Sequence, residues 1–341
     1  MKMFKKSYCF DDVLLVPQYS EIMSRSEIDL SSGDRLKNLS LDLPIVSSPM
    51  DTVTESMMTS MMSSLGGLGI IHRYNSPSEQ ASQVEKSIRD SSCKNVGFAI
   101  GVGQGMIDRA RKCLDAGANV ICIDIAHGDH ALMRHSLRVL RNTFGDDIHI
   151  MAGNVATLEG LNRLADWGAN SVRVGIGGGS ICSTRIQTGH GMPTFQSIIE
   201  CSRTDRDVAI VADGGIRNSG DIVKCLAAGA DLVMLGSLLA GTDESPGEEV
   251  YIDGEKRKVY RGMASKDAQI DWRGHYASVE GVSSTVQSRG SVSNIVEDLE
   301  RGIRSGLSYS GAKDISELQS VSSFVSQTSS GAVESSTHIL K

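Results

Sequence analysis

The sequence lacks the usual signs of a secreted, zinc-binding, nucleic-acid-binding or membrane-spanning protein. Its seven cysteines are an odd number without a C-x-x-C pair, so neither a disulfide framework nor a zinc site is expected, and a cytoplasmic location is predicted. The formal net charge is −7 without a continuous basic stretch, which argues against binding to nucleic acid or to a membrane surface. No apolar run approaches the roughly 18 residues of a transmembrane helix, and the first residues lack the apolar core of a signal peptide.

Proline is also scarce, whereas glycine is abundant. The chain has 6 prolines and 36 glycines, a balance that suits many tight turns between strands and helices. Hydrophobic residues make up 40% of the sequence and charged residues 22%, so a sizeable core is expected and disorder is not.

Short apolar runs alternate with stretches of helical pattern along most of the chain. The runs predict eight buried strands at 44–48, 68–72, 95–101, 120–125, 148–154, 171–175, 209–213 and 232–236. The stretches between them predict helices at 55–64, 78–90, 106–116, 131–143, 158–167, 195–202 and 220–228. This order favours an α/β fold with a closed (β/α)8 TIM barrel as a single domain over residues 1–341, and an open doubly wound sheet is the alternative.

Two segments break the rhythm of strands and helices. Residues 243–288 are polar and too long for a simple turn, so they are interpreted as an active-site flap. The serine-rich stretch 320–336, within a tail that extends to residue 341, has two interpretations: it orders against a neighbouring subunit, or it is a frayed terminus.

The strongest chemical signal is the loop after the sixth predicted strand, at the barrel end where such enzymes place their active sites. Residues 174–185 read Val-Gly-Ile-Gly-Gly-Gly-Ser-Ile-Cys-Ser-Thr-Arg, and four glycines in five positions leave backbone groups free for a phosphate or a cation. The cysteine of this loop, Cys182, is a candidate nucleophile because nearby N–H dipoles or a cation favour its thiolate. The other six cysteines are interpreted as small buried hydrophobic residues.

The last two predicted strands also end in polar and glycine residues. Barrels commonly bind phosphate after these strands, which makes Gly215, Gly236 and Ser237 candidates for that role. Asp213 is a candidate acceptor for ribose hydroxyl groups, and an ordinary turn aspartate is the alternative. His72 and His127 follow strands as well, but the sequence does not decide between structural and catalytic roles for them.

Several segments together resemble the inosine monophosphate dehydrogenase and GMP reductase family. Besides the Cys182 loop they are residues 10–17, 50–55, 69–72, 153–155, 213–217 and 239–241, in matching order over almost the whole chain. The resemblance implies a (β/α)8 barrel, usually a homotetramer, in which the loop cysteine bonds covalently to C2 of a purine nucleoside monophosphate.

The resemblance also carries site residues over to this chain. It implies that the nucleotide is bound by Ser180, Asp213, Gly215, Gly236, Ser237, Met263 and Ala264. It implies that a nicotinamide cofactor contacts Asp124, Asn154 and Gly175. The backbone carbonyls of Gly177, Gly179 and Cys182 match the family's site for K⁺ or another monovalent cation.

Within this family, the reductase converts GMP to IMP and ammonia with NADPH, and the dehydrogenase oxidises IMP to XMP with NAD. The compact flap from Gly262 to Gly281, the stretch 123–128 and the absence of CBS regulatory domains favour the reductase. The dehydrogenase flap carries an adjacent Arg-Tyr pair that activates water, whereas Arg273 and Tyr276 are separated here by two residues.

Other features keep the alternatives open. Residues 50–55 and the tail 331–338 resemble the dehydrogenase, and a catalytically silent nucleotide-binding relative is a third hypothesis. Ala277 and Val279 stand where familiar reductases have arginine and serine, so NADH remains possible as cofactor. By resemblance to reductases, Thr184 and Glu280 form a proton relay to C2, and a solvated flap glutamate is the alternative.

Overall fold

The architecture is a closed barrel of eight parallel strands, which confirms the predicted fold class. The computed structural model describes residues 5–89 and 94–335. In chain order, the strands are β1 (Val13–Leu15), β2 (Ile45–Ser47), β3 (Leu68–Ile71), β4 (Val96–Ile100), β5 (Val120–Asp124), β6 (His149–Val155), β7 (Ser171–Val174), β8 (Ala209–Asp213), β9 (Leu232–Leu235), β10 (Glu249–Ile252), β11 (Glu255–Arg261), β12 (Ser283–Gln287) and β13 (Phe324–Ser326). The helices are α1 (Ser56–Ser64), α2 (Pro77–Arg89), α3 (Met106–Asp115), α4 (Ala131–Phe144), α5 (Leu158–Asp166), α6 (Thr184–Thr188), α7 (Thr194–Cys201), α8 (Ser219–Ala227), α9 (Lys266–Arg273), α10 (Val292–Ser310), α11 (Ile315–Val321) and α12 (Ser329–Glu334).

The barrel consists of β2 to β9, each paired in parallel with the next. It closes where β2 pairs with β9, with Ile45 opposite Val233, which rules out the open doubly wound sheet. All eight predicted strands and all seven predicted helices are present, each within one residue at either end, except that the predicted end of α2 at residue 90 lies outside the described residues. None of the helices in the described ranges is both long and apolar enough to cross a membrane.

The side chains of each barrel strand point alternately into the barrel and towards the helices, which explains why the strands are apolar throughout. On β5, Val120 and Cys122 join the cluster inside the barrel, whereas Ile121 and Ile123 join the cluster between the barrel and its helices. Successive side chains of a strand point to opposite faces, and both faces are covered in this fold. Each strand therefore buries nearly every side chain.

The same alternation places polar side chains at the carboxyl-terminal mouth of the barrel. Asp124 lies two residues beyond Cys122, so it shares the inward-facing direction of that residue. Asp213 follows the inward-facing Val211 on β8 in the same way. The strand pattern thus sets both carboxylates inside the mouth.

Helix α10 was not predicted, although its sequence carries a helical pattern. Its buried residues recur at intervals of three and four positions: Val292, Val296, Leu299, Ile303 and Leu307. It packs on α8 at close range, since a Cβ atom added at Gly302 would lie 2.2 Å from Ser219 Oγ. The missed helix completes the outer layer after the flap.

The predicted flap is an antiparallel sheet of β10, β11 and β12, with α9 between β11 and β12. These elements fall inside the predicted range 243–288. Arg257 pairs with Val250 on one side and Gln287 on the other, so β11 is the central strand.

The serine-rich tail pairs with the N-terminal segment of the same chain, an arrangement that neither interpretation of the tail anticipated. Strand β13 runs antiparallel to β1, with Val13 opposite Ser326. Phe324 on β13 packs edge-on against Phe195 of α7, whose ring also contacts Phe10. Residues 336–341 of the tail lie outside the described residues.

Four of the cysteines interpreted as buried hydrophobic residues are buried, namely Cys113, Cys122, Cys201 and Cys225. The interpretation is wrong for Cys9, which is exposed because it precedes a surface turn at Phe10–Asp12. Cys93 lies outside the described residues.

One buried histidine links the stability of the fold to pH. His149 Nδ1 donates to Lys37 O (2.8 Å), and Nε2 lies 2.9 Å from Ser171 Oγ, a hydroxyl that can donate to the neutral ring. Burial lowers the pKa of His149 to about 4. The unfolded chain takes up this proton near its ordinary pKa of about 6.5, whereas the folded chain resists it. The stability contribution is therefore present above about pH 6.5 and lost as the pH falls towards 4.

We expect His149→Gln to flatten the decline of the unfolding free energy between about pH 6.5 and 4. The full effect of this histidine is about 3 kcal/mol, the free-energy equivalent of its pKa shift. Urea unfolding followed from pH 8 to 5 measures the slope, and the exposed His190→Gln is the control. Burial raises the pKa of Asp231 to about 6 and acts in the opposite direction, but it contributes equally to parent and variant. An unchanged slope in His149→Gln would contradict the assignment.

Candidate active site

The Cys182 loop leaves the barrel between β7 and α6 in a conformation that requires glycine. Gly175 has a φ of 149°, and a Cβ atom there would lie 1.9 Å from Asp213 O. Gly177 also has a positive φ, of 80°. The loop is thereby pressed against the end of β8, and it presents Cys182 to the mouth of the barrel.

Cys182 is the first member of a short hydrogen-bonded chain. Its Sγ donates to Thr184 Oγ1 (3.2 Å), and Thr184 Oγ1 donates to Glu280 Oε2 (2.9 Å). The chain joins a thiol, a hydroxyl and a carboxylate, so a proton can pass between the reacting sulfur and the flap carboxylate through Thr184.

Backbone pairing between the loop and the flap fixes Glu280. Ser183 N donates to Glu280 O (2.9 Å), and Glu280 N donates to Ala264 O (3.1 Å). Gln269, which is buried on α9, donates to the carbonyls of Ala264 (3.0 Å) and Ser278 (2.9 Å). Gln269 was not predicted, because an isolated glutamine within a segment interpreted only as a flap gives no signal of its own.

A second contact ties the flap to the barrel. Tyr74, just after β3, donates its hydroxyl to Met263 O (2.7 Å), and its ring stacks on Trp272 with 5.5 Å between centroids. Arg261 of the flap donates to Asp51 Oδ2 from Nε (3.0 Å) and Nη2 (2.7 Å). These contacts also went unpredicted, and they hold the flap over the mouth of the barrel.

All the predicted site residues line one cavity of about 300 Å³, within the range of small-molecule sites. They are Asp124, Asn154, Gly175, Gly177, Gly179, Ser180, Cys182, Thr184, Asp213, Gly215, Gly236, Ser237, Met263, Ala264 and Glu280. Arg73, Tyr74, Arg173 and Tyr260 line it as well and were not predicted.

Tyr260 lies where two of the predicted phosphate-binding loops meet. It is buried, its hydroxyl lies near Ser180, and a Cβ atom added at Gly236 would lie 3.1 Å from that hydroxyl. Burial raises the pKa of Tyr260 to about 12, so it stays a neutral hydroxyl donor suited to an anionic oxygen.

The carboxylates at the mouth are paired with buried and half-buried arginines. Asp124 accepts from Arg173 Nη1 (2.7 Å) and lies 3.5 Å from Arg73 Nε. Burial by itself raises the pKa of Asp124, but Arg173 and Arg73 outweigh it and hold that pKa below its usual range. Asp213 accepts from Asn154 Nδ2 (2.8 Å) as well as from Arg173.

The two histidines left undecided by the sequence lie outside the cavity. His72 is buried, bonds Glu55 through Nε2 (3.0 Å) and accepts from Tyr74 N through Nδ1 (3.1 Å). His127 is exposed. The contacts of His72 are those of a structural residue.

Two carbonyl groups of the Cys182 loop fit a cation. Among the described residues, none donates a hydrogen bond to the carbonyl oxygens of Gly177 and Cys182, while Gly179 O accepts from Cys182 N (3.1 Å). Carbonyl oxygens are suitable ligands for hard cations, and unpaired ones gain most from such a ligand.

The fold and the site define a barrel protein whose mouth holds a cavity lined by a hydrogen-bonded thiol, hydroxyl and carboxylate. A family model described as the IMP dehydrogenase / GMP reductase domain matches residues 7–338. The chain belongs to this family.

The relatives carry both activities of the family in their names. An inosine-5′-monophosphate dehydrogenase from Cryptosporidium parvum is 38% identical over 386 residues, covering 98% of this chain and 95% of the relative. A GMP reductase from Leishmania major is 31% identical over 474 residues, covering 96% of each. A cysteine-to-alanine variant of GMP reductase from Trypanosoma brucei, solved with guanosine 5′-monophosphate, superposes with a TM-score of 0.92 at 30% identity, covering 98% of both chains.

Proposed function

We propose that this protein catalyses the NADPH-dependent reductive deamination of GMP to IMP and ammonia. The hydrogen bond from Thr184 to Glu280 beside Cys182 carries the proposal. It supplies a proton donor and its carboxylate partner next to the nucleophile, and expulsion of ammonia needs such a donor.

The reaction begins when Cys182 Sγ attacks C2 of GMP. As it attacks, Cys182 releases its thiol proton through Thr184 to Glu280. Glu280 then returns this proton through Thr184 to the exocyclic amine, which leaves as ammonia. NADPH, when bound, would supply the hydride that C2 accepts, and breakage of the C–S bond would then return the sulfur of Cys182 and release IMP. For each turnover, GMP, NADPH and one proton become IMP, NADP⁺ and ammonia.

The other cavity residues hold the two ligands. Asp213 faces the cavity as an acceptor for the ribose of GMP, and Tyr260 with Ser180 donates to its phosphate. Asp124 suits the hydroxyls of the cofactor ribose, and the positive charge of Arg73 suits its phosphates. The donor set therefore fits a nicotinamide dinucleotide, and the choice of NADPH over NADH is part of the proposal.

The dehydrogenase is the second candidate, because many relatives carry that name. It must activate water for hydrolysis, and the residues nearest to the family's Arg-Tyr pair are engaged elsewhere. Arg273 donates to Gln269 Oε1, and Tyr276 is exposed beneath Lys266 Nζ, 4.9 Å from the ring centroid. Chain length does not separate the two activities. The alignment with the Leishmania major reductase spans 474 residues, as does an alignment with a long dehydrogenase.

Three further features complete the proposal. The carbonyls of Gly177, Gly179 and Cys182 would hold a monovalent cation that stiffens the loop. The enzyme acts as a homotetramer, as the family resemblance implies. It works in the cytoplasm, a location supported by the free cysteines of the described residues.

The decisive assay supplies GMP with NADPH and, separately, IMP with NAD⁺. We expect the first mixture to lose reduced-nicotinamide absorbance and to yield IMP and ammonia in equal amounts. XMP formation from IMP and NAD⁺, without consumption of NADPH in the GMP mixture, would identify a dehydrogenase instead. Tight GMP binding without turnover in either mixture would support the silent relative.

A further inference from the structure

Arg173 is a buried cation placed between two carboxylates that serve different ligands in the proposed function. It lies on β7 and is only 5% exposed. Its Nη1 donates to Asp124 Oδ1 (2.7 Å), and its Nη2 and Nε donate to Asp213 Oδ2 (2.9 and 3.2 Å). A single guanidinium therefore spans from β5 to β8 across the mouth of the barrel.

These contacts determine which oxygen of Asp213 remains for a ligand. Oδ2 accepts two N–H groups from Arg173 and a third from Asn154 Nδ2 (2.8 Å), so its lone pairs are fully used. No described residue donates to Oδ1 at hydrogen-bond distance, and Asp213 lines the cavity. The planar fork of Arg173 thus orients the carboxylate with Oδ1 as the free acceptor.

Asp124 is held in a comparable way on the opposite side of the guanidinium. Its Oδ1 accepts from Arg173, and its Oδ2 lies 3.5 Å from Arg73 Nε. Burial by itself raises the pKa of Asp124 and would favour its protonated form. Arg173, with Arg73, holds that pKa below its usual range, so Asp124 remains a pure acceptor.

We propose that Arg173 is a positioning residue that orients Asp213 for the nucleotide ribose and Asp124 for the cofactor at the same time. This inference rests on the proposed function, because that function assigns the two carboxylates to two ligands. It predicts that the affinities for both ligands depend on the one side chain that holds both carboxylates.

Binding measurements on the intact protein test this arrangement. GMP and NADP⁺ do not react with each other, so the dissociation constant of each is measured by calorimetry, with NAD⁺ in a parallel series. We expect Arg173→Gln to weaken both GMP and the dinucleotide by roughly tenfold or more, the scale of a lost charged hydrogen bond. Asp213→Asn should weaken mainly GMP, and Asp124→Asn mainly the dinucleotide. Arg163→Gln removes an exposed arginine paired with Asp129 and should change neither.

The pH dependence distinguishes positioning from general support of the fold. The charged or titratable groups near Asp124 are Arg73, Tyr74, Cys122, Arg173 and, across the guanidinium, Asp213. Without Arg173, only Arg73 opposes the effect of burial on the pKa of Asp124, so in Arg173→Gln the dinucleotide affinity should fall more steeply than in the parent as the pH is lowered. In Arg173→Lys the positive charge is restored, and this added pH dependence should disappear although the planar fork is lost.

The outcomes of these measurements decide whether Arg173 positions both carboxylates. Loss of affinity for only one ligand in Arg173→Gln, or parent-like affinity for both, would overturn the inference and leave the proposed function intact. Equal pH profiles in Arg173→Gln, Arg173→Lys and the parent would also overturn it. If Arg173→Gln does not fold, the Arg173→Lys and Asp→Asn affinities decide, because loss of the fork alone should still weaken both ligands. A parent that binds neither GMP nor a dinucleotide would refute the proposed function itself.

Discussion

Cys182→Ala is expected to lower turnover by at least about a thousandfold, equivalent to about 4 kcal/mol of activation free energy. The thiol is the covalent catalyst of the proposed reaction, and alanine has no atom that can bond to C2. The residues proposed to bind the nucleotide, Asp213, Ser180 and Tyr260, lie elsewhere in the cavity lining. GMP should therefore bind to Cys182→Ala with an affinity close to that of the parent.

Steady-state rates and GMP calorimetry on the same preparation separate these two expectations. Cys9→Ala is the matched control, since Cys9 is exposed and does not line the cavity. In the parent, GMP should block alkylation of Cys182 but not that of the exposed Cys9. Burial raises the pKa of Cys113, Cys122 and Cys201 to about 12, so these thiols stay unreactive. A Cys182→Ala protein with more than a thousandth of the parent rate would rule out the covalent mechanism.

The barrel was predictable from the sequence because its strands are covered on both faces. Parallel strands in that environment are continuous apolar runs, and the helices between them carry a different period. The network around Arg173 was only partly predictable from the apolar pattern of the strands. The arginine interrupts the apolar strand β7 at an inward-facing position, which is a usable signal. Its partners on β5 and β8 become evident only once the barrel closes.

The flap contacts were less accessible from the sequence. Tyr74 and Trp272 stack although they are far apart in the chain, and neither position is marked by a local pattern. Thr184 and Glu280 are 96 positions apart, and only the family resemblance brought them together before the structure did. Helix α10, unlike the flap contacts, has a signal in the sequence, because its apolar residues recur at helical spacing.

Glu280→Gln is expected to separate the two chemical steps of the proposed reaction. The carboxylate accepts a hydrogen bond from the Thr184 hydroxyl (2.9 Å), so it can take up the proton that the attacking thiol releases and return it to the leaving amine. A neutral amide cannot exchange that proton, so deamination of GMP should fall by roughly a hundredfold or more, the usual scale of general acid–base catalysis. Hydride transfer at C2 needs Cys182 and the bound cofactor, so much of that step should survive.

The two steps are measured separately in the same variant. Overall reduction of GMP by NADPH reports on both steps, whereas IMP with NADP⁺ and no ammonia forms reduced cofactor through hydride transfer alone. The alkylation rate of Cys182 shows in addition whether the change affects the thiol. Glu248→Gln, an exposed flap glutamate outside the cavity, is the matched control and should leave both half-reactions at the parent rate.

The geometry of the flap distinguishes a proton-donating role of Glu280 from a role in positioning the flap. Glu280 is fixed through its backbone by Ser183 N and Ala264 O, contacts that glutamine preserves, so the variant keeps the shape of the flap and changes only the acid. Thr184→Val removes the hydroxyl that links Cys182 to the carboxylate and should reproduce the split, whereas Thr184→Ser should retain much of the deamination. If Glu280→Gln reduces GMP at the parent rate, or if both half-reactions decline together, Glu280 is a flap-positioning residue and the proton for ammonia comes from another group.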